Sequence, residues 1–117
     1  MKAIAVILLA LAVSCTYRFA AAQEVGRGLV CDTAEQAEEI ALAKDRTAAL
    51  RKVNEKEAVC AVAVVFFTRG EDKKILIVGR DAVSVTEITV EGAIENGVPQ
   101  RYAPTVQYTL FLKGEAL

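Results

Sequence analysis

The chain predicts an α+β domain: two short N-terminal helices packed on an antiparallel sheet of about four strands and stapled by one disulfide. Three observations carry that expectation. A capping-box sequence opens an amphipathic stretch at Thr33, the hydrophobic pattern changes from helical spacing to that of strands from Cys60 onward, and a cysteine stands at each end of the helical segment.

The first 22 residues read as an export leader, leaving residues 23–117 as a single small domain. Met1-Lys2 gives the positive start, Ala3 to Ser14 is the apolar run, and Ala20-Ala21-Ala22 supplies small residues for cleavage before Gln23. That run is too short to cross about 30 Å of hydrocarbon as a helix, and no later run is longer, so no transmembrane span is expected. Ala12-Val13-Ser14-Cys15 offers a rival processing route, with Cys15 as the lipid-anchored first residue. Ala12 occupies the position where that signal prefers leucine, and cleavage at Gln23 is therefore the expected outcome. Loss of the leader removes Lys2 and Arg18, which moves the net charge from −1 to −3. A nucleic-acid partner would need a concentrated basic surface, and the pairs Arg51-Lys52 and Lys73-Lys74 sit among acids, so none is expected.

In the exported chain only Cys31 and Cys60 remain. An even pair bound for an oxidising compartment predicts a disulfide. The alternative, a redox pair or a nucleophilic thiol, lacks both C-x-x-C spacing and any histidine to activate a thiolate.

Asp32 and Thr33 are helix N-cap residues, and Thr33-Ala34-Glu35-Gln36 fits the capping box. Ala34, Ala37, Ile40 and Ala41 fall on one helical face, opposite Glu35, Glu38 and Glu39. Leu50 and Val53 form a second stripe out of phase with the first, which predicts a break between Lys44 and Thr47 and hence two helices. From Cys60 the run Ala61-Val62-Ala63-Val64-Val65-Phe66-Phe67 is apolar on both faces and reads as the central strand, ending at Thr68-Arg69-Gly70. Gly70-Glu71-Asp72 reads as a turn into a short strand Ile75 to Val78, and Gly79-Arg80-Asp81 as the next reversal. Along Ala82 to Ile94 the alternation slips, with Val83 and Val85 on one face and Ile88, Val90 and Ile94 on the other. A β-bulge near Thr86-Glu87 would restore a common face. For the last hairpin a three-residue loop Glu95-Asn96-Gly97, with Ile94 opposite Val98, keeps the apolar faces together better than a two-residue Asn96-Gly97 turn does. That face would continue through Val106, Tyr108, Leu110 and Leu112, leaving Thr105, Gln107 and Thr109 outward. Pro99 and Pro104 lack amide protons and mark this strand as an edge or an interrupted one.

The chemical inventory points away from catalysis. There is no histidine, so the usual imidazole bases and His-based zinc sites are absent. Two cysteines joined to each other cannot ligate a metal, the glycines form neither a phosphate loop nor a dinucleotide fingerprint, and no cofactor is expected. Carboxylate pairs such as Glu38-Glu39 and Glu71-Asp72 are neighbours whose side chains diverge, as solvated surface residues do. Among the aromatic residues, Phe111 is expected to face away from Tyr108 and Leu110, which makes it the candidate for an exposed partner contact.

The stretch Val30-Cys31-Asp32-Thr33-Ala34-Glu35-Gln36, followed by Val59-Cys60 and the strand to Thr68-Arg69-Gly70, resembles small exported bacterial proteins of no assigned activity. The resemblance implies export and a paired Cys31 and Cys60, and carries no activity. Two helices on a small sheet also resemble, in architecture alone, envelope assembly lipoproteins and secreted enzyme inhibitors. The expectation is therefore a non-enzymatic periplasmic or secreted module that binds another envelope or secreted protein. A small-ligand-binding or stress-related role is the alternative; a concave apolar pocket would favour it, and a flat patch near Phe111 would favour protein binding.

Overall fold

The computed structural model of the chain describes residues 23–113. The expected leader and Cys15 lie outside the described residues. The elements are β1 (Glu24–Cys31), α1 (Ala34–Leu42), α2 (Arg46–Val53), β2 (Cys60–Val78), β3 (Asp81–Glu95) and β4 (Val98–Leu112). Two helices and a four-stranded antiparallel sheet agree with the expected class, but the helices are not N-terminal, because β1 precedes them. With Gly26, Gly28, Glu24 and Arg27 in eight residues, β1 has little strand propensity of its own. It is a strand because it pairs residue for residue with the apolar half of β2, from Glu24 opposite Phe67 to Cys31 opposite Cys60.

The helices follow the sequence closely. Thr33 Oγ1 accepts from the Gln36 amide at 3.2 Å while Gln36 Oε1 accepts from the Thr33 amide at 3.0 Å, the reciprocal capping box. Such a cap stabilises a helix by about 1 kcal/mol. Ala43 is extended and ends α1, and Asp45 caps α2 by accepting from the Ala48 amide at 3.0 Å. Beyond α2, Asn54 fixes the entry into β2. Its Oδ1 accepts from the amides of Val59 and Cys60 and its Nδ2 donates to the Cys60 carbonyl, each at 2.9 Å.

The strands depart from expectation in three places. First, the chain does not turn at Gly70-Glu71-Asp72. Instead β2 runs on through Val78, and that segment is a double irregularity, with Arg69 opposite Ile88, Asp72 opposite Thr86 and Lys74 opposite Val85. The extra residues are therefore on β2, across from the Thr86-Glu87 position where a bulge in β3 was expected. Gly70 passes close to β3 there; a Cβ on it would lie 3.0 Å from the Glu87 carbonyl oxygen.

Second, the slip in β3 is not corrected, because both faces are used. Val85 packs into a core beneath the helices with Cys31, Ile40, Cys60 and Leu76, whereas Ile88 and Val90 pack into another with Val30, Val65 and Phe67. A separate irregularity between Phe66 and Phe67 puts Gly92 opposite Phe66 and Val90 opposite Phe67, which returns Ala93 to the face of Val90. Third, the last hairpin is the two-residue turn. Glu95 pairs with Val98, and Asn96 and Gly97 take φ of 52° and 77°, the left-handed pair that a type I′ turn requires. The faces keep the phase that this turn dictates: β4 carries two extra residues where Gly92 is opposite Arg101 but Val90 is opposite Thr105, and an insertion of two leaves the alternation unchanged, so Ile88 is opposite Gln107 and Val106 is opposite Thr89. Gly92 is the residue that permits this insertion, since a Cβ there would collide with the Gln100 carbonyl oxygen.

The sheet order is β1-β2-β3-β4, and the sheet curls until its two outer strands meet. They meet in one residue pair, Cys31 opposite Tyr108, backed by the Thr109 hydroxyl donating to the Leu29 carbonyl. Thr109, expected outward, is buried for that reason, while Val106, expected inward, is exposed. Either side of this seam the strand edges are unpaired among the described residues, and these include the edge of β4 that holds Pro99 and Pro104, as the prolines indicate. The helices cover part of the outer face; the inner face closes over the second core.

Cys31 and Cys60 form the expected disulfide between directly opposed residues of β1 and β2, 29 positions apart in sequence. Chain entropy assigns a loop of that size roughly 3–4 kcal/mol. Replacing both cysteines by alanine is expected to lower the unfolding free energy by about that amount, measured by urea denaturation at neutral pH. A loss below about 1 kcal/mol would show that the β1–β2 ladder holds without the crosslink.

Candidate functional site

Side-chain size along the inner face decides where the molecule is hollow. On β1 the inward positions are Gly26, Gly28 and Val30; on β2 they are Ala61, Ala63, Val65 and Phe67. Small residues cannot fill a curled sheet. The result is two recesses in line. The larger, about 350 Å³, has a floor of Val30, Ala63, Val65, Val90 and Ala93 and opens between β4 and the segment entering β2. The smaller, about 140 Å³, lies toward the other end, where Gly26 and Gly28 put no side chain opposite Phe67 and Thr109. Val30 and Val65 line both recesses and form the partition between them.

The floor of the larger cleft is entirely aliphatic, and its polar groups stand on the rim. Asp32 and Gln107 lie at its seam end, where Gln107 Nε2 donates to Asp32 Oδ1 at 3.1 Å. Thr105 and Tyr102 stand along the β4 side, with Tyr102 about half exposed. An aliphatic trough with a few rim hydrogen-bonding groups offers contact area and orientation to a small apolar molecule.

Phe111 is not the exposed contact it was expected to be. It does face away from Tyr108 and Leu110, but the curl of the sheet turns that face inward. Its ring is half-buried, 6.2 Å from the Phe67 ring centroid, and the Arg69 guanidinium lies 3.9 Å from its own centroid. Arg69 is in turn gripped by both carboxylate oxygens of Glu24, at 2.8 and 3.1 Å. Glu24, Arg69, Phe111 and Phe67 thus close the end of the smaller recess with an ion pair laid over an aromatic ring.

At the β2 irregularity the buried hydroxyls of Ser84 and Thr86 join the exposed Asp72 and Lys113 in one polar cluster. Asp72 Oδ1 accepts from the Thr86 hydroxyl at 2.9 Å, the Thr86 and Ser84 hydroxyls are 2.8 Å apart, and Lys113 Nζ donates to Asp72 Oδ2 at 2.9 Å. The Lys113 hydrogen bond first, then those of Thr86 and Ser84, hold the Asp72 carboxyl down at about 2 from an ordinary 3.8. Ser84 and Thr86 are buried, so neither hydroxyl can reach a substrate. The cluster fastens the extra residues of β2 to β3. Of the carboxylate pairs weighed in the sequence, Glu71 contacts Lys73 and Glu38 contacts Lys74, each at the surface.

The cleft residues were not singled out in the sequence, although the small side chains at Ala61 and Ala63 and the Gly26-Gly28 spacing were legible as gaps once β1 and β2 are paired. Comparison of the chain with protein-family models, curated proteins and solved structures finds no match. Functional inference therefore rests on the geometry of the chain itself.

Two outcomes are expected. Replacing Phe111 by serine should lower the unfolding free energy by about 2 kcal/mol, near half the cost of deleting a fully buried ring; an unchanged denaturation midpoint would show that the ring is a free surface group. The Asp72 carboxyl, followed by NMR, should titrate near pH 2, and Thr86→Val should raise that midpoint. Because its folded pKa is depressed, the stability it contributes is present above pH 3.8 and is lost as pH falls toward 2.

Proposed function

We propose that this is a non-enzymatic binding domain of an exported protein, and that its site is the aliphatic cleft on the inner face of the sheet. One observation carries the reading: a trough of about 350 Å³ whose floor is Val30, Ala63, Val65, Val90 and Ala93 and whose hydrogen-bonding groups are confined to the rim. Its size is at the lower end of the range for small-molecule sites. The ligand class is a compact apolar molecule with one or two polar groups that reach Asp32, Thr105 or Gln107. Export is supported by the leader sequence, by the disulfide and by the resemblance of the Val30 to Gln36 stretch. No helix among the described residues is long and apolar enough to cross a membrane.

A second reading, docking of another envelope or secreted protein, is favoured by one feature. Between Val98 and Gln107 the outer edge of β4 has no partner strand among the described residues, and this stretch carries exposed Val98 and Tyr102. Pro99 and Pro104 remove two amide donors from that strand, which leaves the cleft as the better-formed site.

The test is fluorescence of the neutral probe N-phenyl-1-naphthylamine titrated into the oxidised chain beginning at Gln23. Saturable enhancement is expected, with affinity falling tenfold or more in Ala63→Phe, whose ring would occupy the floor. Absence of enhancement in the folded protein, or equal binding by Ala63→Phe with an unchanged circular dichroism spectrum, would refute the cleft as a ligand site.

A further inference from the structure

The helices leave half of the outer face bare. On that half stand Val25 of β1 and Val62 of β2, 57% and 51% exposed, beside the half-buried Phe66. These three side chains follow the alternation that puts Cys31 and Cys60 on the outer face, so they form one surface across the paired strands. Two arginines flank it. Arg27 lies between Val25 and Leu29 on the same face, and Arg101 of β4 reaches over the Phe66 ring at 5.9 Å. The Glu91 carboxylate accepts a hydrogen bond from Gln23 at 2.6 Å.

We infer that this bare face, Val25, Val62 and Phe66 between Arg27 and Arg101, docks the domain on an anionic lipid surface. Charge complementarity gives the first argument. A chain with a net charge of −1, and near −3 without the leader, has little general attraction for anionic lipid in either form, yet here two arginines border an aliphatic crest. A second copy meeting the face symmetrically would bring like charges together, which disfavours self-association. The course of the chain gives the second argument. The apolar run ending at Ser14 is separated by only residues 15–22 from Gln23, the residue that leads into β1. Eight residues reach at most about 30 Å when extended. While that run is held in a bilayer, or where Cys15 keeps a lipid anchor, Val25 is therefore tethered close to the headgroups. The outer face also turns its crest outward, so a flat surface meets Val25 and Val62 first. The inference is independent of the cleft, which opens on the other face.

The experiment is co-sedimentation of the oxidised chain beginning at Gln23 with vesicles of phosphatidylglycerol and phosphatidylcholine, and with vesicles of phosphatidylcholine alone, at low and physiological salt. Binding to the anionic vesicles is expected, weakened by salt, and reduced tenfold or more by Arg27→Glu with Arg101→Glu and by Val62→Asp. Ile77→Asp replaces a side chain that is 70% exposed on the opposite face and should bind like the parent. Circular dichroism of each variant guards against loss of fold, which these exposed positions do not predict. The inference is overturned if the folded parent ignores anionic vesicles, if neutral vesicles bind it equally, or if the variants bind unchanged. It is equally overturned if the same variants abolish a complex with an acidic envelope protein while lipid binding is absent. Probe binding in the cleft is read separately, so failure here leaves that reading standing and failure there leaves this one.

Discussion

At Cys31 three strands are brought to one point. Its backbone lies opposite Cys60 of β2 on one side and Tyr108 of β4 on the other, and its sulfur is bonded to Cys60. The residue is fully buried in the core that the helices cover, and Asp32 and Thr33, directly after it, turn the chain into α1. A sheet of four strands has two edges whose unpaired amides and carbonyls must be satisfied or exposed. Here the two edges meet at the Cys31–Tyr108 pair, while the disulfide on the other side of Cys31 leaves no choice of register between β1 and β2. Asn54 secures the other half of the link by taking up the Val59 and Cys60 amides. The curl of the sheet, and hence the existence of an inside, follows from holding this one seam while both strand edges open away from it.

Once the sheet is curled, a strand can bury both faces, and that explains where sequence reasoning succeeded and failed. Helix boundaries were legible because Thr33, Gln36 and Asp45 act on amides three residues away, so the signal is local. The slip in alternation along β3 was also legible. Its meaning was not, because a one-sided sheet needs a bulge where a two-sided one does not. Val85 belongs to the helix-covered core and Ile88 to the inner one, and only the long-range pairing distinguishes these cases.

The remaining errors share a cause: insertions into one strand are invisible until its partner is known. Gly70-Glu71-Asp72 has turn composition, yet it lies inside β2 because the Thr86 hydroxyl and Lys113 hold Asp72 in place against β3 and β4. The two-residue Asn96-Gly97 turn was set aside because it sets polar residues of β4 against Ile88 and Val90, and it does: they lie opposite Gln107 and Thr105, since the two residues inserted between Arg101 and Thr105 shift the register without changing the phase. In β1 nothing local announces a strand, since glycine at 26 and 28 weakens propensity. Those same glycines matter most for the site.

The hollow interior is therefore a consequence of composition on two paired strands, not a gap left by imperfect packing. Protein interiors ordinarily fill to crystal-like density, and β3 and β4 contribute Ile88, Val90 and Phe111 toward that end. Against them β1 and β2 set Gly26, Gly28, Ala61 and Ala63, which are too short to meet them. Phe67 and Phe111, roofed by the Glu24–Arg69 pair, fill one end and prevent collapse there. At the other end the exposed Asp32–Gln107 hydrogen bond bridges the seam at the cleft mouth. A sheet left this thin would gain aliphatic contact by closing on itself, but β2 is pinned by the disulfide at Cys60 and by its ladders to β1 and β3. Closure would have to break backbone hydrogen bonds, each of which costs more to leave unmade in a buried site than the contact of one methyl group returns. The cleft persists because the backbone that frames it is held more strongly than its walls attract one another.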